Sequence, residues 1–244
     1  SIKDAGLITF YINSSLSCLT NPVMGKLNLA PTIGIGNIDL IAPAVLTYIA
    51  QQKIIDRSRI KTFQVCHHQH WVYPREAGYK PNAPYYLKIL IDDMDVTSEF
   101  DTDTVMFEAV KLYPPGVNFT TVSASSALKN LNAMLYNENL HTHSPGPNGL
   151  PGGYPVLLNK QGAEVVLPED ISLNDAIKLN EESGKMDSIE KIEDDGTVIF
   201  TDYAYQIMKE TLGFNHQSFH PWDAKDLAFE QISCFNKLAK KYSI

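Results

Sequence analysis

Val65-Cys66-His67-His68-Gln69-His70-Trp71-Val72-Tyr73-Pro74 places three of the chain's seven histidines within four residues, at the end of an apolar run and just before a proline. Imidazole changes charge near neutral pH, so three that close offer proton transfer or metal ligation a place to occur. The bland alternative is a histidine-rich loop, which holds unless partners converge on it. Ile60 to Cys66 reads as a strand delivering the histidines to its end. In an extended segment His68 and His70 share a face and His67 points away, so one site takes at most two of them.

Upstream, Ile41, Ala44, Val45, Tyr48 and Ile49 recur at helical spacing, with Pro43 placed in the first turn of the helix they predict. Gly34-Ile35-Gly36-Asn37-Ile38-Asp39 precedes it. The run lacks the third glycine of a dinucleotide fingerprint, so it reads as a tight turn with Asp39 at or near the helix N-cap. Ala30 to Ile35 reads as a buried strand, Leu16 to Leu29 as a short helix or turn, and Leu7 to Ile12 as a first buried strand. That strand needs neighbours, supplied by later strands or by a region preceding this sequence.

Downstream, Thr120 to Asn139 reads as a long helix. Gly149 to Leu158 and Ala163 to Leu167 form a hairpin closed at Lys160-Gln161-Gly162, and Ser172-Leu173-Asn174-Asp175 opens a capped helix. Asp92, Asp93, Asp95, Glu99, Asp101 and Asp103 lack the turn glycine of a calcium loop and read as a solvated acidic face. His141-Thr142-His143 lies beside Ser-Pro-Gly-Pro-Asn and reads as a surface loop. Gly213 and Pro221 flank His216 and His220 and argue against a helix aligning them. Glu193 to Gly196 is a turn, Thr197 to Thr201 a short strand, and Trp222 to Tyr242 an amphipathic helix with Ala228, Ile232, Phe235, Ala239 and Tyr242 on one stripe.

At 244 residues, 44% apolar and 20% charged, the chain is a folded protein of one large domain or one domain with an extension. A net charge of -8, with Arg57, Arg59 and Arg75 the only arginines, excludes a nucleic-acid partner. No apolar run is long enough for a membrane span. Cys18, Cys66 and Cys234 are widely spaced, as reduced thiols in a cytoplasm would be, and argue against a disulfide scaffold or a cysteine zinc site.

The order of these features resembles the lactate and malate dehydrogenase superfamily: a strand ending in Asn13, a glycine turn leading to Asp39 at the head of a helix, and a strand ending in histidines before Pro74. The hairpin and capped helix continue the resemblance to about residue 190. It implies an α/β to α+β catalytic domain of lactate/malate dehydrogenase type with most of the Rossmann half absent. Residues 1–38 would be a remnant of the nucleotide-binding half, 39–193 the catalytic domain, and 194–244 a C-terminal strand and helix packed on the domain or a partner subunit. It also implies an NAD(P)-dependent oxidoreductase acting on the hydroxyl or ketone of a small molecule. His68 would be the general acid and base and Asp39 its orienting acid, with Asn13 and Asn37 on the cofactor side and Asn13, Arg75 and His70 around the substrate.

Two departures accompany the resemblance. The family's glycine fingerprint is missing, so the site for NAD or NADP is incomplete in this chain, and the chain is expected as a homo-oligomer or with a missing N-terminal nucleotide-binding region. Ala42 stands where the hydroxy-acid dehydrogenases place a carboxylate-gripping arginine, leaving Arg75 as the substitute. His68 followed by Trp71 is also similar to the histidine motif of family 4 glycoside hydrolases, which use NAD with a divalent metal. Their metal-binding cysteine would fall near Gly36, where no cysteine exists, while the neighbouring Asn37 matches. The reading adopted therefore has no metal site. A non-catalytic dimerisation module is the remaining alternative.

Overall fold

A computed structural model describes residues 2, 4–7, 9–113 and 120–242. Two short strands, β1 (Ile12–Asn13) and β2 (Ile33–Gly34), pair in parallel around α1 (Ser17–Lys26). Gly34 makes the close approach possible, because a Cβ there would lie 2.2 Å from Ser17 Cβ and 2.7 Å from the Pro145 carbonyl oxygen. The buried first strand expected over Leu7 to Ile12 is not formed as such. Ile8 lies outside the described residues, Leu7 is 62% exposed, and the pairing with β2 takes in Ile12 and Asn13, with the Tyr11 carbonyl accepting from the Thr32 N–H.

The next element, α2 (Ile38–Lys53), buries Ile41, Ala44, Val45 and Ile49 as its spacing predicts. Pro43 lies beyond the first turn, and its missing N–H leaves the Asp39 carbonyl without that helical partner. The chain then forms β3 (Ile60–Val65), a one-turn helix α3 (Gln69–Val72), β4 (Tyr86–Ile91), β5 (Met94–Asp95) and α4 (Thr102–Ala109). These strands form an antiparallel meander in which Ile60 faces Ile91 and Val65 faces Tyr86. Ile38, Ile41, Val45 and Ile49 of α2 pack with Leu87, Ile89, Met106 and Val110 into the first core. The acidic residues around β5 are spent locally: Asp92 pairs with Arg59, Asp95 accepts from Thr97, and Asp101 accepts from Thr104.

After α5 (Thr120–Tyr136) a second meander follows, β6 (Leu140–Pro145), β7 (Gly153–Asn159) and β8 (Gly162–Val165). The hairpin falls where the sequence puts it. His141-Thr142-His143, expected as surface loop, belongs instead to strand β6, where pairing with β7 satisfies backbone groups that proline and glycine downstream seem on paper to forbid. Val65, Ala133, Met134, Tyr154, Val156, Leu158 and Ala176 form the second core. A bridge between Cys66 and Gly153 joins the two meanders. Any side chain at Gly153 would strike Ile38 at 2.6 Å.

The helix α6 (Leu173–Gly184) opens with Ser172 Oγ accepting from the Asp175 N–H. Strands β9 (Ile189–Ile192), β10 (Val198–Phe200) and β11 (Ser218–Phe219) form a third sheet, with α7 (Asp202–Ile207) between β10 and β11 and α8 (Ala224–Tyr242) last. The boundary expected between residues 193 and 194 therefore falls inside the β9–β10 turn, because antiparallel pairing binds the two strands. On α8, Ile232, Phe235 and Tyr242 are each more than half exposed, so the described chain does not cover its apolar stripe. Among the described residues no helix is long and apolar enough to cross a membrane.

His143 also connects the meanders, its Nε2 accepting the Gln64 N–H at 3.1 Å. Burial, with Lys129 nearby, lowers its pKa from 6.5 to about 3. The folded state thus refuses a proton that the unfolded chain takes, so stability falls as pH drops from about 6.5 towards 3. Urea unfolding at stepped pH is expected to give a shallower slope for His143→Gln than for the wild type over that window. Equal slopes would mean the buried ring carries its proton.

Candidate active site

The histidine segment does not stay extended. After Val65 the chain turns, with the His70 N–H bonded to the His67 carbonyl and the Trp71 N–H to that of His68 at 2.8 Å. This turn brings His67 and His68 together, ring centroids 4.4 Å apart and planes tilted by 38°. His70 goes elsewhere, its ring edge-on to Tyr85 at 5.1 Å. The sequence pairing of His68 with His70 is corrected to His67 with His68, because helical dihedrals replaced the strand periodicity.

Both rings face one carboxylate. Asp187 Oδ2 lies 3.3 Å from His67 Nδ1, and Oδ1 lies 3.3 Å from His68 Nε2. Asp187 ends the short turn after α6 and also accepts a hydrogen bond from the Gln69 amide. Cys18, in the first turn of α1, completes the group: its sulfur and one nitrogen of each imidazole all lie within 4.8 Å of one another. The Asn37 amide donates to that sulfur at 3.1 Å. His67 Nδ1, His68 Nδ1 and Asp187 Oδ2 are buried without a well-aligned hydrogen bond. Cys18 and His67 line a cleft of about 600 Å³ whose other walls include Leu19, Leu150, Asn180 and Glu181.

The two imidazoles are driven apart electrostatically. Burial, reinforced by the charge of His68, pushes His67 down to about 3, so it is neutral at pH 7. Burial also works against charge on His68, but hydrogen bonding to Asp187 and to Cys18 outweighs it and raises His68 to about 10. A cationic and a neutral imidazole therefore stand side by side over one carboxylate.

Asp39, expected as the orienting acid of His68, is committed elsewhere. Its carboxylate accepts from Lys129 at 2.6 Å, Thr142 at 3.0 Å, Asn130 at 3.1 Å and Ser126, and no hydrogen bond joins it to His68. From the first turn of α2, its side chain points to α5 and β6 rather than to the strand of histidines. Burial raises its pKa, with Lys129, Ser126 and Thr142 pulling back.

Asn13 bonds Thr20 at 2.6 Å and Asn21 at 2.7 Å, bracing α1 outside the cluster. Arg75, expected to grip a substrate carboxylate, stacks on Trp71 at 4.4 Å and donates to the Val110 and Tyr113 carbonyls. Its guanidinium ties the turn after α3 to the segment that follows α4. His70 lines a separate cavity of about 530 Å³ with Lys80, Tyr85 and Asp103. Burial lowers its pKa to about 4. Of the residues singled out from sequence, His68 and Asn37 reach the cluster.

Sequence reasoning missed Cys18, Gln69 and Asp187, and turned His67 away from the site. Cys18 was one of three scattered thiols, and a lone aspartate after a helix carries no signal. The argument against a cysteine metal ligand rested on spacing along the chain, which the fold bypasses by bringing α1 against the end of β3.

Replacing Asp39 by alanine strips four donors of their acceptor, one of them a lysine ammonium. The expected cost is about 2–4 kcal/mol in urea unfolding. A loss below about 1 kcal/mol would contradict its role as the tie between α2, α5 and β6.

No known protein family matches the sequence, and no curated protein is detectably similar to it. Solved structures are similar. A malate dehydrogenase from Aeropyrum pernix superposes with a TM-score of 0.50 at 14% identity, covering 76% of this chain and 63% of that one. A lactate dehydrogenase from a Medee basin deep-sea metagenome library gives 0.51 at 14% identity, covering 76% and 64%. This chain thus spans less than two thirds of the length of either enzyme. With its mixed helices and strands superposing over three quarters of its length, the chain has the α/β fold of the lactate and malate dehydrogenases.

Proposed function

We propose that this chain is the catalytic part of an NAD(P)-linked oxidoreductase whose small-molecule substrate, a hydroxyl or ketone compound, enters the cleft beside Cys18 and His67. The observation carrying this reading is the Asp187 carboxylate 3.3 Å from each of two imidazoles at the cleft wall. The fold supports it as a likeness to dehydrogenases, and the residues add the proton-handling group such a reaction needs. Asp187 takes the place expected of Asp39. It orients both rings, and His67, neutral and facing the cleft, takes the proton of the substrate hydroxyl as hydride leaves, with the Asp187 carboxylate stabilising the imidazolium that forms. Asn37 acts here through Cys18 rather than by touching cofactor. The nucleotide is bound largely by residues outside the glycine turn at 34–36, which lacks the fingerprint. With Arg75 spent on carbonyls, the substrate is not held by a bidentate arginine–carboxylate grip from that residue.

Asp187→Asn keeps the size and removes the charge. In the full-length protein, turnover with NAD or NADP over a panel of small alcohols and ketones is expected to fall about 10²–10⁴-fold in Asp187→Asn and in His67→Gln. The remote His216→Gln should match the wild type. Unchanged turnover in Asp187→Asn would remove the relay. Absence of nicotinamide reduction in the wild type across the panel would remove the oxidoreductase.

A further inference from the structure

Cys18, His67 and His68 are buried to 1%, 1% and 7% exposure, and Nδ1 of each histidine lacks a well-aligned hydrogen bond. His68 is informative because its two nitrogens are treated differently. Nε2 is turned to Asp187, while Nδ1, on the other side of the ring, is buried with no well-aligned partner. A histidine with one nitrogen on a carboxylate and the other free is arranged as metal-ligating histidines are, the carboxylate orienting the ring from behind. His67 shares the carboxylate, with Asp187 Oδ2 near its Nδ1, and its ring stands at the cleft wall. Cys18 adds a sulfur that accepts a hydrogen bond from Asn37, as metal-bound thiolates do.

We propose that Cys18 Sγ, His67 and His68 bind a divalent transition cation of zinc type, with Asp187 and Gln69 as the outer groups that orient the imidazoles. One sulfur and two imidazoles suit zinc or cobalt and not the hard, oxygen-seeking magnesium or calcium. A tetrahedral ion with bonds of about 2.0–2.3 Å separates its ligand atoms by roughly 3.4–3.6 Å. Donors already within 4.8 Å therefore close by small side-chain rotations. Three protein ligands leave a fourth position, and the cleft supplies the open side at which water or a substrate oxygen enters. The site stands on these residues alone. Its use in catalysis rests on the reaction proposed above: with both imidazoles held as ligands, the cation rather than the His67 ring would polarise the substrate oxygen.

The test is binding, not turnover. The full-length protein, stripped with chelator and dialysed against cobalt(II), is expected to take up one equivalent with the near-ultraviolet charge-transfer band of a thiolate–cobalt bond. Zinc should displace it and raise the melting temperature. Cys18→Ser should abolish the band while Cys66→Ser and Cys234→Ser keep it, and Asp187→Asn should weaken binding about 10–100-fold. Stoichiometric cobalt without a thiolate band, or no uptake by the wild type, overturns the site. The wild-type spectrum decides even if a variant fails to fold. Metal uptake without nicotinamide-linked turnover would sink the oxidoreductase and keep the metal site, and the reverse result would do the opposite.

Discussion

A carboxylate taken out of water costs several kcal/mol unless donors surround it, and Asp39 satisfies that demand with four donors from two elements. Ser126, Lys129 and Asn130 come from α5, and Thr142 from β6. Their convergence fixes α2 against both. Since α2 leads into β3, the same interaction sets where β3 runs and where its end delivers the histidines. The absence of side chains at Gly34 and Gly153 lets the backbones close to the distances this arrangement needs. Asp39 thus acts on the site by placing it.

Placement is what gives the cluster its chemistry. Cys18 and Asp187 are separated by most of the chain's length; Cys18 reaches the histidines from the start of α1, which packs on the turn joining β6 and β7, and Asp187 from beyond the end of α6. Once there, the site's polar groups outnumber their hydrogen bonds. Native interiors tolerate few such groups, so a concentration of them at a cleft wall calls for a function or a ligand. The contrast between His67 and His68 has the same origin. Two buried imidazoles cannot both carry charge at this distance, and the one favoured by Asp187 and Cys18 takes it.

Sequence alone determined the helices and the hairpin with clear local signals, namely α2, α5, the Ser172-capped α6, β7 with β8, and α8, and left α1 open as a short helix or turn. It also singled out the histidine segment and the dehydrogenase-like order of elements. These are local properties, set by spacing, caps and turn residues within a few positions. Leu7 to Ile12 looked like a strand because composition records β propensity but not the presence of a neighbour. The tertiary structure decided the rest: that residues 67–72 turn into a helix, pairing His67 with His68, that Asp39 belongs to Lys129 and Asp187 to the histidines, that Arg75 binds the carbonyls of Val110 and Tyr113, and that Cys18 joins the site. Each of these depends on contacts between residues distant in sequence, where charge and ligand pairing are chosen by three-dimensional proximity and desolvation rather than by spacing along the chain.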